Sequence, residues 1–257
     1  MSAVCTVPLP DSVTLNHAVS EGDGPSLGLN ASLERNRMER IAEPDLMDDP
    51  AQAEAYHRAD FGEPHDHFVT LFRQHFPAGS WQGPVLDLGC GTADVTRRFA
   101  RAFRDVEIDG IDGAEAMLRW GRESVAAEGL AGRVRLFCRC LPTQDLPGSD
   151  YGAVISNSLL HHLADPLVLW STICAGARDG APVFVMDLMR PATPARVEEL
   201  VSTYAAEESD LLRRDFFNSL CAAYTAEEVE RQLQSTGLDH LQLEVASDRH
   251  WTVRGRL

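Results

Sequence analysis

The chain of 257 residues has no apolar run approaching the roughly 18 residues that a membrane span requires. Met1 to Pro10 also lacks a basic segment followed by an apolar one. Membrane insertion and secretion therefore have no support. Positive charge is scarce as well: 23 Lys and Arg stand against 39 Asp and Glu, for a formal net charge of −16 and a pI near 4.9. Nucleic-acid binding draws most of its affinity from clustered cations, so neither a nucleic acid nor a membrane surface is an expected partner. Six cysteines (Cys5, Cys90, Cys138, Cys140, Cys174, Cys221) form no C-x-x-C pair and no regular framework. That usage suits reduced thiols and a cytoplasmic location. Cys138 and Cys140 lie two apart in a predicted strand and share a face, where packing of small side chains is expected rather than metal ligation.

What is present is ordinary for a globular protein, with 44% hydrophobic and 24% charged residues. Residues 1 to about 35, rich in Ser, Gly, Pro, Asp and Asn without a sustained period, read as a disordered tail. From Asn36 to Phe76 apolar residues recur at three- and four-residue spacings, so residues 36–80 read as a helical N-terminal cap. From Val85 onward short apolar runs alternate with helical patterns, the signature of a parallel sheet with crossover helices. The expected strands are Val85–Leu88, Glu107–Ile111, Val134–Cys138, Ala153–Ser156, Val183–Asp187, Leu241–Val245 and His250–Val253. Helices are expected at Ala93–Phe103, Ala114–Glu128 and Pro166–Ala177, with a helical insertion over 193–224. The capping box Thr225-Ala226-Glu227-Glu228 opens one more helix, which stops at Gly237. The fold class is therefore α/β: residues 81–257 form a Rossmann-like, doubly wound, mostly parallel seven-stranded sheet.

The strongest local signal is Val85-Leu86-Asp87-Leu88-Gly89-Cys90-Gly91-Thr92-Ala93-Asp94, an apolar strand running through a glycine turn into a helix. Gly89 and Gly91 let the backbone turn tightly and approach a ligand, at the carboxyl end of the first strand where open α/β sheets bind. A dinucleotide fingerprint would place Gly or Ala where Asp94 stands, which weakens a nicotinamide or flavin reading. The stretch resembles motif I of class I S-adenosylmethionine-dependent methyltransferases, with Ala93 in place of a third glycine. The second strand runs into Ile111-Asp112-Gly113, where a carboxylate accepts two ribose hydroxyl hydrogen bonds. The following Ala114-Glu115-Ala116-Met117-Leu118 resembles the same family's helix, which puts Met117 beside the adenine.

After the third strand the acidic residue that often contacts the adenine amino group in that family is missing or displaced, and Leu141 is left to pack the purine. The fourth strand runs Val154-Ile155-Ser156-Asn157 into Ser158-Leu159-Leu160-His161-His162-Leu163-Ala164-Asp165-Pro166, similar to motif IV and its sequel in small-molecule methyltransferases. The resemblance implies S-adenosylmethionine as cofactor, held by Asp87, Gly89, Gly91, Asp112, Met117, Leu141 and Asn157. It also allows Asn157 to bind either the methionine amino group or the substrate.

The candidate catalytic residues are Asn157, His161 and Tyr56. His161 and His162 suit a general base, although such histidines more often orient the loop or pack beneath the cofactor. Tyr56, Phe61 and Phe68 either form a lid that excludes water or pack in the core. His57, His65, His67 and His75 carry no metal-ligand spacing of a known class, so solvated helix positions and no metal are expected. Arg190, after Asp187 and Met189, is expected at the surface, the other reading being a clamp on a substrate carboxylate.

Methyl transfer needs mainly alignment and desolvation, which fits a clear cofactor site without an evident triad. The leading reading is methyl transfer to an O, N or C atom of a small-molecule substrate. The layout also resembles azetidine-2-carboxylate synthases of bacterial natural-product pathways, in which S-adenosylmethionine is itself the substrate and cyclises with release of methylthioadenosine. A non-catalytic nucleoside-binding protein is the third reading. The sequence sets neither the acceptor nor the oligomeric state.

Overall fold

A computed structural model describes residues 38–43 and 46–257. The tail expected over residues 1–35 lies outside the described residues. Two helices precede the sheet, α1 (Pro50–Arg58) and α2 (Gly62–His75). Asp49 opens α1 by accepting the amides of Ala51 and Gln52, each at 2.9 Å, with proline at the first turn. The described residues before Pro50 form no helix, although the periodicity extends back to residue 36. There the backbone bonds outward: the Met38 amide donates to Ala192 O and the Ile41 amide to Cys221 O.

The sheet domain runs β1 (Val85–Leu88), α3 (Asp94–Ala102), β2 (Ile108–Asp112), α4 (Glu115–Ala127), β3 (Val134–Cys138) and β4 (Ala153–Asn157). It continues through α5 (Leu167–Gly176), β5 (Pro182–Leu188), α6 (Pro194–Tyr204), α7 (Asp210–Ala222), α8 (Ala226–Ser235), β6 (Gln242–Val245) and β7 (His250–Arg256). The spatial order is β3-β2-β1-β4-β5-β7-β6, with β1 to β5 parallel and β7 antiparallel to both its neighbours. This is the mostly parallel seven-stranded sheet that the sequence pattern implies. β7 runs on through Arg254, Gly255 and Arg256, whose polarity hides them from an apolar-run reading, because they pair with Phe184, Val183 and Pro182.

Both faces are covered. On one, α2 and α3 bury Phe68, Phe72, Phe99 and Phe103 against Val85, Ile108 and Phe184. Phe72 meets the Phe99 ring edge-on at 4.8 Å, and each such buried side chain is worth about 1.5–3 kcal/mol. On the other, Trp170, Tyr151 and Trp251 pack on Leu86, Val154 and Val183. The insertion folds as α6 and α7, whose N-terminal amides are capped by Thr193 and Ser209. The capping box of Thr225 and Glu228 forms with both of its hydrogen bonds. β1 neighbours β2 on one side and β4 on the other, so the chain reverses direction there and leaves a crevice above their carboxyl ends.

Candidate functional site

A cavity of about 650 Å³ occupies that crevice, a size typical of sites for small organic ligands. The sheet contributes the turn after β1, Asp112 at the end of β2 and Asn157 at the end of β4. Tyr56 and Phe61 close it from the N-terminal side, their rings 4.6 Å apart, and Tyr204, Glu208 and Phe216 wall it from the insertion. The structure brings Tyr56, Asp87, Gly89, Gly91, Asp112, Met117, Leu141, Asn157 and His161 to this one cavity.

The glycine turn is built as its sequence requires. Gly89 has φ +74°, and an added Cβ would come within 2.8 Å of Leu159 Cβ. Gly91 has φ +52°, and a Cβ there would meet only Met117 Cε, at 3.6 Å, so bare backbone borders the open cavity. Ala93 is left-handed at φ +60°, a conformation that glycine takes freely and alanine holds at a cost of about 1–2 kcal/mol.

Asp112 latches this turn to β2. Its Oδ2 accepts the Gly91 amide at 2.9 Å and its Oδ1 the Ala114 amide at 2.8 Å. Burial pushes its carboxyl above the ordinary range, even though both amide bonds favour the ionised form. A carboxylate offers about four lone-pair sites, so two remain for hydroxyl donors. Asp87 lies deeper and accepts the Thr96 hydroxyl at 2.6 Å, and burial pushes its carboxyl up to about 7 despite that bond. Tyr56 is held neutral, its phenol pushed up to about 12 by burial and by the carboxylates of Asp94, Asp112 and Asp187.

His161 is buried, and its Nδ1 meets Asp187 Oδ1 at 2.5 Å. Asp187 also accepts the amides of Leu160 at 2.6 Å and Leu188 at 2.7 Å, tying the turn after β4 to the end of β5. Burial disfavours the imidazolium, but the Asp187 charge outweighs it and raises the His161 pKa. His162 Nδ1 pairs with Glu43 Oε2 at 2.6 Å, and Ser219 Oγ donates to Glu43 Oε1 at 2.8 Å. Burial opposes the Glu43 charge, yet these partners hold its carboxyl below the ordinary range.

Of the two readings open for Phe68 the structure selects the core: it is fully buried and edge-on to Phe184 at 4.9 Å. Other expectations are corrected. Arg190 is neither at the surface nor in the cavity. It is buried, donating to Glu228 at 2.6 Å, Ala223 O at 2.9 Å and Met38 O at 3.1 Å, and so pins α8 and the N-terminal strap. His65 is buried rather than solvated, with Nδ1 2.7 Å from Asp94, and His57 stacks on Trp120 at 4.5 Å, whereas His67 and His75 are exposed. Strand β3 ends at Cys138, so Cys140 lies in the following loop and shares no strand face with it.

Asp94, read from the sequence only as a departure from glycine, joins α2 to α3 by holding His65, Arg97 at 2.9 Å and Arg98 at 3.0 Å. Burial opposes its charge, but His65 and Arg98 hold it well below the carboxylate range. Glu43, Glu208 and His250 reach the cavity from stretches that carry no motif. Burial and Arg249 bring the His250 imidazole down to about 4. Cavity carboxylates, among them Asp60, Glu63, Asp112, Glu208 and Asp215, outnumber its two arginines, Arg139 and Arg249. Arg249 is spent on Asp248 and on the Tyr204 ring, 3.3 Å from its centre.

Residues 85–175 match the family model described as a methyltransferase domain. Among curated relatives, the ubiquinone/menaquinone biosynthesis C-methyltransferase UbiE of Geotalea daltonii is 38% identical over 69 residues, 26% of this chain and 28% of that protein. A Pseudomonas putida protein named as a probable fatty acid methyltransferase is 32% identical over 122 residues, 47% of this chain and 27% of that protein. The chain thus spans about a quarter of the length of each of these relatives. Among solved structures, the plantazolicin methyltransferase BpumL, in complex with SAH, superposes with a TM-score of 0.61 at 14% identity, covering 81% of this chain and 91% of that one. These matches show a methyltransferase domain over residues 85–175, and the seven-stranded sheet shares its fold with S-adenosylmethionine-dependent methyltransferases of known structure.

Proposed function

We propose that the protein binds S-adenosylmethionine in this cavity and transfers its methyl group to a small-molecule acceptor. The observation that carries the reading is Asp112: a carboxylate at the end of β2, against the bare backbone of Gly91, with acceptor capacity left for two hydroxyls. The excess of cavity carboxylates fits a ligand that carries a sulfonium and an ammonium. When bound, S-adenosylmethionine supplies a methyl group made electrophilic by its positive sulfur.

In this reading Asp112 orients the ribose, and Met117 and Leu141 sandwich the adenine. Gly89 and Gly91 admit the ligand against the main chain, while Asn157 and Asp87 hold the amino-acid end. Tyr56 and Phe61 cover the sulfonium with apolar ring faces and exclude water. Closure by the cap and by the α6–α7 wall supports an acceptor of small size, enclosed together with the cofactor.

The test is mass spectrometry of nucleoside products after incubation with S-adenosylmethionine alone and then with candidate acceptors or cell extract. S-adenosylhomocysteine formed only when acceptor is present is the expected result. Methylthioadenosine with an equimolar C4 amino acid, formed without any acceptor, replaces this reading with cyclisation. Binding without turnover under every condition replaces it with a nucleoside-binding role.

A further inference from the structure

Three potential metal ligands converge on the cavity wall from separate parts of the chain. Glu43 comes from the stretch before α1, and His161 and His162 from the short helical turn Leu160–His162 that follows β4. Each offers one ligand atom, and all three atoms lie within 4.8 Å of one another. The His161 and His162 rings are 4.1 Å apart. All three residues border the cavity assigned to the cofactor and acceptor.

The supporting contacts are those of a built site. His161 Nδ1 is taken by Asp187 at 2.5 Å, which fixes the ring and leaves Nε2 as the remaining ligand atom. A carboxylate behind a histidine in this way is the usual outer partner of a metal-bound imidazole. Asp187 itself is immobilised by the amides of Leu160 and Leu188. Glu43 is steadied by Ser219 on α7, at 2.8 Å. Arg40 locks the same turn by donating to His161 O at 2.9 Å and Leu163 O at 3.2 Å. Its charge is directed onto those carbonyls, onto Ala222 O and over the Tyr224 ring, 4.2 Å from the ring centre. Each imidazole therefore has its own carboxylate, Asp187 at His161 Nδ1 and Glu43 at His162 Nδ1.

We propose that Glu43, His161 and His162 hold one divalent cation of the zinc, manganese or ferrous class. Two imidazoles and one carboxylate match the ligand preference of these ions and are a poor match for calcium or magnesium, which favour all-oxygen sets. Bonds of about 2.1 Å in a tetrahedron place ligand atoms about 3.4 Å apart. The His162–Glu43 contact of 2.6 Å opens slightly, and no pair need close by more than about 1.4 Å. Three protein ligands leave a fourth position on the cavity side, where a water or an oxygen of a bound molecule completes the set. Assigning that position to the methyl acceptor rests on the function proposed above; the ion site itself does not.

The experiment uses full-length, tag-free protein stripped with chelator and titrated calorimetrically with Zn²⁺ and, separately, with Mn²⁺, without S-adenosylmethionine. The expected result is saturable binding of one ion per chain, weakened at least 30-fold in Glu43→Gln and in His162→Asn. Zn²⁺ should also raise the Tm of the wild type and leave that of Glu43→Gln unmoved. Absence of saturable binding to the wild type, or equal binding to both variants, overturns the site. Should a variant fail to fold, the Co²⁺-loaded wild type decides: a spectrum without a thiolate charge-transfer band supports the nitrogen and oxygen set, and such a band places the ion on cysteine and overturns the proposal. One-to-one binding without methyl transfer under any condition leaves the ion site standing and removes only the functional reading.

Discussion

The Gly91 amide donates to Asp112 Oδ2 at 2.9 Å, so the glycine turn after β1 is held in place by the carboxylate at the end of β2. One side chain thus shapes the loop and presents acceptor sites to the cavity. Asp112→Ala should weaken S-adenosylmethionine binding by about 2 kcal/mol, roughly 30-fold, through loss of hydrogen bonds to a charged acceptor. Calorimetric titration of folded variant and wild type measures this. Unchanged affinity would remove Asp112 from the site.

Gly89 and Gly129 separate two costs that a glycine substitution can carry. Both have positive φ, +74° and +69°, but a Cβ at Gly89 meets Leu159 Cβ at 2.8 Å whereas one at Gly129 has nothing within 4 Å. Gly129→Ala should cost about 1–2 kcal/mol, from the left-handed backbone alone. Gly89→Ala adds the overpacking term and should cost about 2–5 kcal/mol in all. Urea denaturation of the two variants reads the difference directly. Equal losses would mean that Leu159 yields without resistance.

How far the sequence reveals this molecule follows from which constraints are local. β1, its glycine turn and Asp112 were legible because a strand, a tight turn and a carboxylate at fixed spacing must be consecutive in the chain. The β7 continuation through Arg256 was not, because the pairing with β5 that stabilises it lies about 70 residues away in sequence. Asp94 announced itself only as something other than glycine, since its partner His65 belongs to α2. Glu43 was invisible for the same reason: its partners His162 and Ser219 are brought to it by the fold alone. Arg190 was placed at the surface because a lone arginine after a strand shows no buried partner in the sequence, and only the tertiary structure supplies the carbonyls and Glu228 that occupy it.

Tyr56 borders the cavity with its phenol pushed up to about 12, so near neutral pH it keeps its proton and does not act as a base. In the proposed function its contribution is the ring, packed against Phe61 at 4.6 Å. Tyr56→Phe should therefore leave kcat/KM within about threefold of wild type, whereas Tyr56→Ala should lower it by about tenfold or more as the covering face is lost. Steady-state kinetics on both variants tests the order. A drop in Tyr56→Phe as deep as that in Tyr56→Ala would assign the chemistry to the hydroxyl.

Asp87 ties stability to pH with a definite sign. Its carboxyl has an ordinary value of 3.8 and is pushed up to about 7 in the folded protein, by burial that the Thr96 hydroxyl only partly offsets. Below pH 3.8 the group is protonated in both states and imposes no penalty. Between there and about pH 7 the unfolded chain has lost the proton while the folded chain keeps it, so this contribution to stability falls as pH rises and levels off above pH 7. At about 1.4 kcal/mol per pH unit the full span is at most about 4 kcal/mol. Asp87→Asn, whose amide oxygen still accepts the Thr96 hydroxyl, carries no such dependence. Its stability relative to wild type should therefore rise steadily from pH 5 to pH 7 and stay constant from pH 7.5 to 8.5. Urea denaturation of both proteins at each pH isolates this one group, because every other titration is common to the pair. A difference that does not change with pH would show that Asp87 stays ionised throughout, which burial at 2% exposure beside a single hydroxyl donor gives no means to achieve.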